Sequence, residues 1–430
     1  MATGHIRVSV VGNVDAGKTT LIGTLTSSVL DNGKGSNRSK IMKHRHEADT
    51  GRTSTISSHL MGFDGNGDPL QAGRHGDAFI ARKASRVISL MDLAGHEKYL
   101  KTTVTGMSRG MADYALVLVN AAQPPTHMTM QHLTLTTSSG IPVIVIMTKI
   151  DACPGQVFRK TKQLTNALLR GPDVEKRPYT VRNERDIETV KEKMHTLVPV
   201  IEASCVTGEG LDLIRSLLRT LPRRRLHEKK IARPFEFTVE DYFQVTGVGI
   251  IVSGFVNTGE WHHGDAFYIG PLKDGTFIKT TVKTVHVART EVDHVWAGHD
   301  ACFALSLTKT QRKLLNGRTG IVALKIPVPP STSFNADIFL MKGDPVTMIN
   351  GRYQTMVHIL HLRRTVRLTS INAFESDSMH HASEVVLRPG CRARATFTFV
   401  QGAEYVRKGM RMILRDGRVR GNGIIQETFP

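Results

Sequence analysis

Apolar residues follow two different rhythms along this chain. From Ile6 to about Leu221, short β-branched runs alternate with segments of helical periodicity, the pattern of a βα-type parallel sheet. Ile6–Val11, Arg86–Met91, Tyr114–Asn120, Pro142–Met147 and Pro199–Ala203 predict strands. Lys18–Val29, Glu97–Arg109, Thr126–Ser139, Arg182–Thr196 and Leu211–Leu221 predict helices, with Gly110 and Gly140 at positions where helices stop. Between Asp31 and Gly76 the chain turns polar and Gly-rich, which predicts a loop and no regular element.

At Pro222 the rhythm changes. Arg215 to Arg233 holds eight basic residues and one acid, Glu228, and ends in the extended Arg233-Pro234 step, as a linker would. Beyond it strict alternation takes over, in Phe235–Val239 and Val248–Val252, punctuated by Gly254, Gly259, Gly264 and Gly298, which predicts a small β-barrel. Pro327-Val328-Pro329-Pro330-Ser331 breaks the pattern again before a second β-rich stretch with turn signals at Asp416-Gly417 and Asn422-Gly423. The expected layout is an α/β domain over 1–222, a basic linker over 223–233, and β-barrels over 234–327 and 331–430. No solenoid repeat or low-complexity segment interrupts it.

Composition adds two facts. The 57 Lys+Arg against 38 Asp+Glu leave a net charge of +19, which points to a polyanionic partner such as nucleic acid. The four cysteines, Cys153, Cys205, Cys302 and Cys391, form no Cys-x-x-Cys pair, so neither a disulfide framework nor a cysteine zinc site is expected, and a reducing cytoplasm fits. Apolar runs such as Val143–Met147 fall far short of the roughly 20 residues that span a bilayer.

Chemistry enters directly after the first strand. Gly12-Asn13-Val14-Asp15-Ala16-Gly17-Lys18-Thr19-Thr20 is a complete G-x-x-x-x-G-K-[ST] loop opening a helix, the context that makes it a phosphate cradle. Glycines let successive N–H groups face phosphate oxygens, the helix N-terminus adds positive potential, Lys18 reaches the β and γ phosphates, and the Thr19 hydroxyl ligates Mg²⁺. A second metal anchor is expected at Asp92 of Asp92-Leu93-Ala94-Gly95, where the Gly95 N–H can sense a γ-phosphate. Thr148-Lys149-Ile150-Asp151 names the base: a carboxylate at Asp151 accepts from guanine N1–H and the 2-amino group, a donor pair adenine lacks, so GTP is preferred to ATP. Thr148 stands where Asn is usual and offers only a hydroxyl. Ser204-Cys205 follows the last strand of the domain, where a backbone N–H would meet guanine O6 and the Ser204 hydroxyl would brace the loop.

These motifs, in this order, resemble the translational GTPases of the elongation factor Tu and elongation factor 1-alpha superfamily. Gly-Asn-Val-Asp-Ala-Gly-Lys-Thr-Thr, Asp-Leu-Ala-Gly-His-Glu-Lys-Tyr, Thr-Lys-Ile-Asp and Arg352-Tyr353-Gln354-Thr355-Met356-Val357-His358 are most similar to the GTP-binding protein 1 and 2 subfamily. The resemblance covers essentially the whole chain, including Val245–Gly254 and Arg411–Ile425. It implies an α/β P-loop GTPase domain, a parallel-rich sheet flanked by helices, followed by two β-barrels. It also implies that His96 orients the water attacking the γ-phosphate, that Thr55 is a further hydroxyl ligand of Mg²⁺, and that Asp15 helps hold a monovalent cation. Aminoacyl-tRNA and the ribosome are the implied partners, of a monomeric factor with GTP/GDP and Mg²⁺ as cofactors. Ser54 departs from the family, whose elongation factors often carry an apolar residue there that gates the histidine together with Val14. The resemblance also implies an N-terminal region longer than the eleven residues before Gly12.

The histidine pairs His44/His46, His262/His263 and His380/His381 lack nearby Cys or paired carboxylates, so they read as polar surface and no zinc is assigned. Two function classes remain: a GTP-hydrolysing switch acting on tRNA and the ribosome, and a GTP-dependent RNA- or protein-binding adaptor in mRNA decay that never delivers tRNA. A sulfate-activating GTPase subunit would share the fold but is disfavoured by the basic balance.

Overall fold

The computed structural model describes residues 4–42, 57–70, 76–93, 95, 112–224, 228–245, 247–287, 290–315, 317–341, 348–349, 353–373, 380–381, 384–416 and 418–430. The chain divides into two compact units, Met1–Arg224 and Arg225–Pro430.

The first unit is built on an eight-stranded sheet, among the described residues, of β1 (Gly4–Gly12), β2 (Ser57–Phe63), β3 (Pro69–Leu70), β4 (Arg86–Asp92), β5 (Tyr114–Asn120), β6 (Val143–Thr148), β7 (Arg177–Thr180) and β8 (Leu197–Ala203). Its spatial order is β3-β2-β4-β1-β5-β6-β8-β7. The central strands are parallel and buried on both faces, which explains why β5 and β6 read as unbroken apolar runs with no alternation. Parallel register brings their carboxyl ends level: Val10 pairs with Asp92, Gly12 with Leu118, Asn120 with Thr148, and Thr148 with Ala203. Ligands of open α/β sheets bind at that edge.

The helices among the described residues are α1 (Lys18–Ser27), α2 (Ser36–Ile41), α3 (Gly76–Lys83), α4 (His127–Ser138), α5 (Gly155–Arg170), α6 (Glu184–Glu192) and α7 (Leu211–Thr220). The stretch expected to be loop holds α2 and two strands, β2 and β3. β2 pairs antiparallel with β4 from Ser57↔Asp92 to Phe63↔Arg86, so the sheet is parallel-rich, as expected, with an antiparallel edge. Burial in β2 is confined to Met61, Gly62 and Phe63, so the strand shows no clear period. Helix α5 carries little apolar signal because part of its buried face is Thr161, Thr165 and Leu169, two of them polar. Helix α6 is shorter than expected: Asn183 caps it by accepting the Asp186 N–H at 3.1 Å, and the chain turns after Glu192. The expected helix Glu97–Arg109 lies outside the described residues.

The second unit holds two closed barrels, and among the described residues its one longer helix is α9 (Lys309–Leu315), after the short α8 (Glu228–Ile231). In the first barrel Glu236–Val245, Gly249–Thr258, Asp300–Ser306, Ile278–Val287, Phe267–Gly270 and Val322–Leu324 close on themselves around Phe237, Trp261, Phe267 and Phe303, the Trp261 and Phe303 rings meeting edge-on at 5.3 Å. In the second, Ser333–Leu340 pairs with both Arg392–Phe399 and Arg418–Phe429 to close the ring around Phe334 and Phe397. Asn422-Gly423, expected as a turn, sits inside that last strand opposite Phe339 and Ile338. Gly423 is there for close approach, since a Cβ would come within 2.8 Å of the Asp337 carbonyl oxygen. Gly417 of the other expected turn lies outside the described residues; the strands on either side of it pair as far as Asp416↔Arg418.

Two buried carboxylates tie the barrels together. Glu236 accepts from the Tyr405 hydroxyl (2.7 Å), from Arg407 Nε (2.6 Å) and from Asn257 (3.0 Å). Glu404 lies between Arg364 (2.5 Å) and Arg318 (3.3 Å), and burial pushes its carboxyl up against the pull of both guanidinium groups. Part of the basic segment expected as linker packs onto the first unit, where Arg224 donates to the Gly140 carbonyl at 3.1 Å.

Candidate nucleotide site

The loop between β1 and α1 is shaped by backbone conformations that favour glycine. Gly12 has φ 149°, and a Cβ on it would approach the Leu118 carbonyl oxygen of the neighbouring strand to 2.5 Å, so β1 can pack here only as glycine. Gly17 takes φ 83° at the helix N-cap, and Asp15 holds a left-handed φ of 59° at the exposed tip. Within the loop the Asn13 side chain accepts the Val14 N–H at 2.8 Å, and the Ala16 N–H reaches the Asn13 carbonyl at 3.3 Å.

Lys18 is buried and donates to the carbonyls of Gly12 (3.1 Å) and Asn13 (2.9 Å). Burial lowers its ammonium pKa, while Asp92 and Asp15 oppose the shift. The next residue, Thr19, donates its hydroxyl to the Asp92 carboxylate at 2.7 Å, joining α1 to the end of β4. Three residues beyond Asp92, Gly95 lies against the loop so closely that a Cβ would strike Lys18 Nζ and stand 2.5 Å from the Gly12 carbonyl oxygen. Thr20 follows at the start of α1, its carbonyl accepting the Thr24 hydroxyl at 2.9 Å.

The base-reading motifs converge on the same edge. The buried Thr148 hydroxyl, at the end of β6, donates to the Ala16 carbonyl at 2.9 Å, so this residue stitches its loop to the phosphate loop. Lys149 then adopts φ 59°, and the chain enters a single 3₁₀ turn that leaves Asp151 exposed. Ser204, fully buried at the end of β8, accepts the N–H groups of Val206 and Thr207 at 3.1 Å each and so folds the loop that carries Cys205. Burial pushes the Cys205 thiol up to about 11, with Asp31 and Asp151 adding to the rise and Thr24 and Lys149 opposing it. Those influences put Cys205, Lys149 and Asp151 within electrostatic reach of one another.

Phosphate loop, Asp92–Gly95, Thr148–Asp151 and Ser204–Cys205 are thus brought together at the carboxyl edge of the sheet. Thr55 and His96, and with them Ser54, lie outside the described residues.

Two further contributors belong to no motif. Asp31 takes four donors, the N–H groups of Asn37 (2.9 Å), Gly33 (3.0 Å) and Gly35 (3.1 Å) and the Ser36 hydroxyl (3.1 Å), while its own N–H reaches the Cys205 carbonyl at 2.8 Å. Burial opposes ionisation of this carboxyl, yet the donors outweigh it and hold its pKa below the ordinary value. The run Asp31-Asn32-Gly33-Lys34-Gly35-Ser36-Asn37 carries a signal for it, as turn-forming residues around one acid. The other is His132 of α4, fully buried, with neither ring nitrogen hydrogen-bonded to a described residue. Burial, helped by the Lys18 ammonium, pushes its pKa down to about 3. An apolar helix face with one histidine carries no sequence signal for that position.

Residues 3–223 match the family described as the elongation factor Tu GTP binding domain. The chain is 36% identical to GTP-binding protein 1 of Xenopus laevis over 99% of its own length and 64% of that protein's. It is 32% identical to GTP-binding protein 2 of Homo sapiens over 98% of its length and 69% of that protein's. It therefore spans about two thirds of these relatives. Among solved structures, translation elongation factor SelB of Methanococcus maripaludis, in complex with the GTP analogue GppNHp, superposes with a TM-score of 0.70 over the whole chain and 80% of the other, at 18% identity. The bacterial selenocysteine-specific elongation factor EF-Sec gives a TM-score of 0.68 over 98% of this chain and 58% of the other, at 19% identity. At such identities these likenesses show the shared fold. No helix among the described residues is long and apolar enough to cross a membrane.

Proposed function

The chain belongs to the elongation factor Tu family of GTP-binding proteins, and we propose that it acts as a GTPase switch, hydrolysing GTP to GDP and phosphate to control its grip on aminoacyl-tRNA and the ribosome. The observation that carries this reading is the convergence of four loops on one sheet edge, tied by the Thr19–Asp92 and Thr148–Ala16 hydrogen bonds.

In this reading the N–H groups from Asn13 to Thr20 and the N-terminus of α1 hold the phosphates, and Lys18 turns its ammonium from the loop carbonyls to the β and γ phosphates. Thr19 and Asp92 offer a hydroxyl and a carboxylate side by side, all-oxygen donors suited to a hard cation, so they would hold Mg²⁺ together with Thr55. When bound, the ion neutralises charge that builds on the phosphoryl oxygens. The Gly95 N–H reads the γ-phosphate, which couples nucleotide state to the segment that follows. Asp151 accepts from the guanine N1–H and 2-amino group, the Cys205 N–H meets O6, and Ser204 keeps that loop folded. His96 orients the attacking water.

Positioning is most of what the protein contributes to phosphoryl transfer, so a switch with few groups supplied by itself is slow until a partner completes the site. Purified protein should turn GTP over weakly, and ribosomes should stimulate it by about 10³- to 10⁵-fold. Filter binding of aminoacylated and deacylated tRNA to the GTP and GDP forms tests the partner. GTP-dependent preference for charged tRNA supports the reading; affinity indifferent to charging and to nucleotide would replace it with an RNA- or protein-binding adaptor.

A further inference from the structure

One end of the first barrel opens into a cavity of about 230 Å³ that the nucleotide site does not use. Most of its wall is apolar, with Ile250, Val252, Leu307, Leu315 and Ile321 all buried, and Tyr242 and Gln244 add polar groups. Its mouth is different. Phe243 lines it and is 45% exposed, so the apolar lining continues onto the surface. Arg312 and Lys313 of the adjoining helix α9 stand at the same mouth, with Arg312 Nε fixed on the Leu307 carbonyl at 3.1 Å.

Charge sharpens the picture. Residues 234–327 carry nine basic and nine acidic residues and are neutral as a whole. The segments Val239–Ser253, Ile278–Val287 and Phe303–Leu315 hold five of those basic residues and two of the acids, Glu240 and Asp241. These segments therefore carry a net charge of 5 − 2 = +3, with Arg312 and Lys313 directly at the cavity. Scattered exposed apolar residues are ordinary, but a cavity with mostly apolar walls, an apolar lip and cations on the rim marks a binding site.

We propose that this cavity is a docking site for a protein partner, through a short acidic segment that inserts one bulky apolar side chain between flanking Asp or Glu residues. The flanking carboxylates meet Arg312 and Lys313 while the apolar side chain fills the cavity. A nucleobase fits less well, because a mostly apolar wall offers few partners for its ring donors and acceptors, and each one left unpaired costs free energy. A phenyl or branched aliphatic side chain has no such groups to satisfy. The docking site is independent of the GTPase function and survives the failure of that reading.

A displayed library of random twelve-residue peptides, panned on the full chain, tests it. Enriched peptides should carry an aromatic or branched aliphatic residue flanked by acids. Synthesised as fluorescent peptides, they should lose at least about 10-fold in affinity on Lys313→Glu and on Phe243→Ser, two exposed positions, while both variants bind GTP as the parent does. Absence of enrichment, peptides that bind both variants as well as the parent, or displacement of the peptides by a single-stranded oligoadenylate whose own binding falls with the same substitutions would each overturn it.

Discussion

Asp151 stands exposed on a 3₁₀ turn while Ser204 is fully buried, and the contrast suits the tasks proposed for them, meeting a ligand and holding a loop still. Exchanging Asp151 for Asn replaces an acceptor with a group that also donates, which mismatches guanine and suits the additional carbonyl of xanthine. Asp151→Asn should weaken GTP binding by about 100-fold, on the order of two charge-assisted hydrogen bonds, and let xanthosine triphosphate bind instead. Competition between the two nucleotides for the purified variant measures this, and unchanged preference would remove Asp151 from the base site. A second residue-scale expectation concerns His132. An unfolded histidine titrates near 6.5, whereas in the fold this one is held down to about 3 by burial and by Lys18. Between those values the unfolded chain binds the extra proton, so the contribution is intact above pH 6.5 and is lost as pH falls toward 3. By about pH 5 the loss is about 2 kcal/mol. His132→Leu should flatten that part of the stability-against-pH curve in denaturant titrations; an unaltered slope would refute it. The motif residues are legible in the sequence because their chemistry fixes their spacing. Asp31 shows only as one acid among turn-forming residues and His132 does not show at all, since a brace's partners and a buried ring depend on contacts the chain makes only after folding.

At the scale of elements, the parallel strands announce themselves and the less regular pieces do not. β5 and β6 are buried on both faces and so can be uniformly apolar, whereas β2 is half-covered and α5 buries threonines among its inward positions. Asn422-Gly423 misleads because the pair that favours a hairpin turn is also what a crowded barrel strand uses where a backbone oxygen comes close. The barrels are visible as alternation, but what joins them is not, because single charged residues within an alternating strand look like solvent-facing positions. Glu236 is 3% exposed and is met by Arg407, Tyr405 and Asn257. Arg407 keeps 40% of its side chain exposed and can be rehydrated, but the Tyr405 hydroxyl loses its acceptor, so Glu236→Ala should destabilise the second unit by about 1–3 kcal/mol. Thermal and denaturant unfolding of the variant decides it, and a substitution costing under about 1 kcal/mol would mean the carboxylate is not structural.

The surplus of charge belongs to the whole molecule. Met1–Arg224 carries 30 basic against 20 acidic residues and Arg225–Pro430 carries 27 against 18, so neither unit is neutral. Within the second unit the excess lies outside the first barrel: Arg352–Pro430 alone holds 13 Lys+Arg against six Asp+Glu. A protein that used charge for solubility alone would show no coupling between nucleotide and polyanion. One that holds RNA through phosphates releases counterions on binding, and its affinity then falls steeply and log-linearly with salt. If about six phosphates are neutralised, raising salt from about 50 to about 200 mM should weaken tRNA binding by about 10³-fold. The slope should be steeper in the GTP form than in the GDP form, because in a nucleotide-gated grip the γ-phosphate decides how much of the basic surface engages. Filter-binding isotherms across that salt range, in both nucleotide states, measure the two slopes directly. Flat and superimposable lines would leave the basic surface without an RNA partner, and would move the search for a target of the proposed switch to proteins.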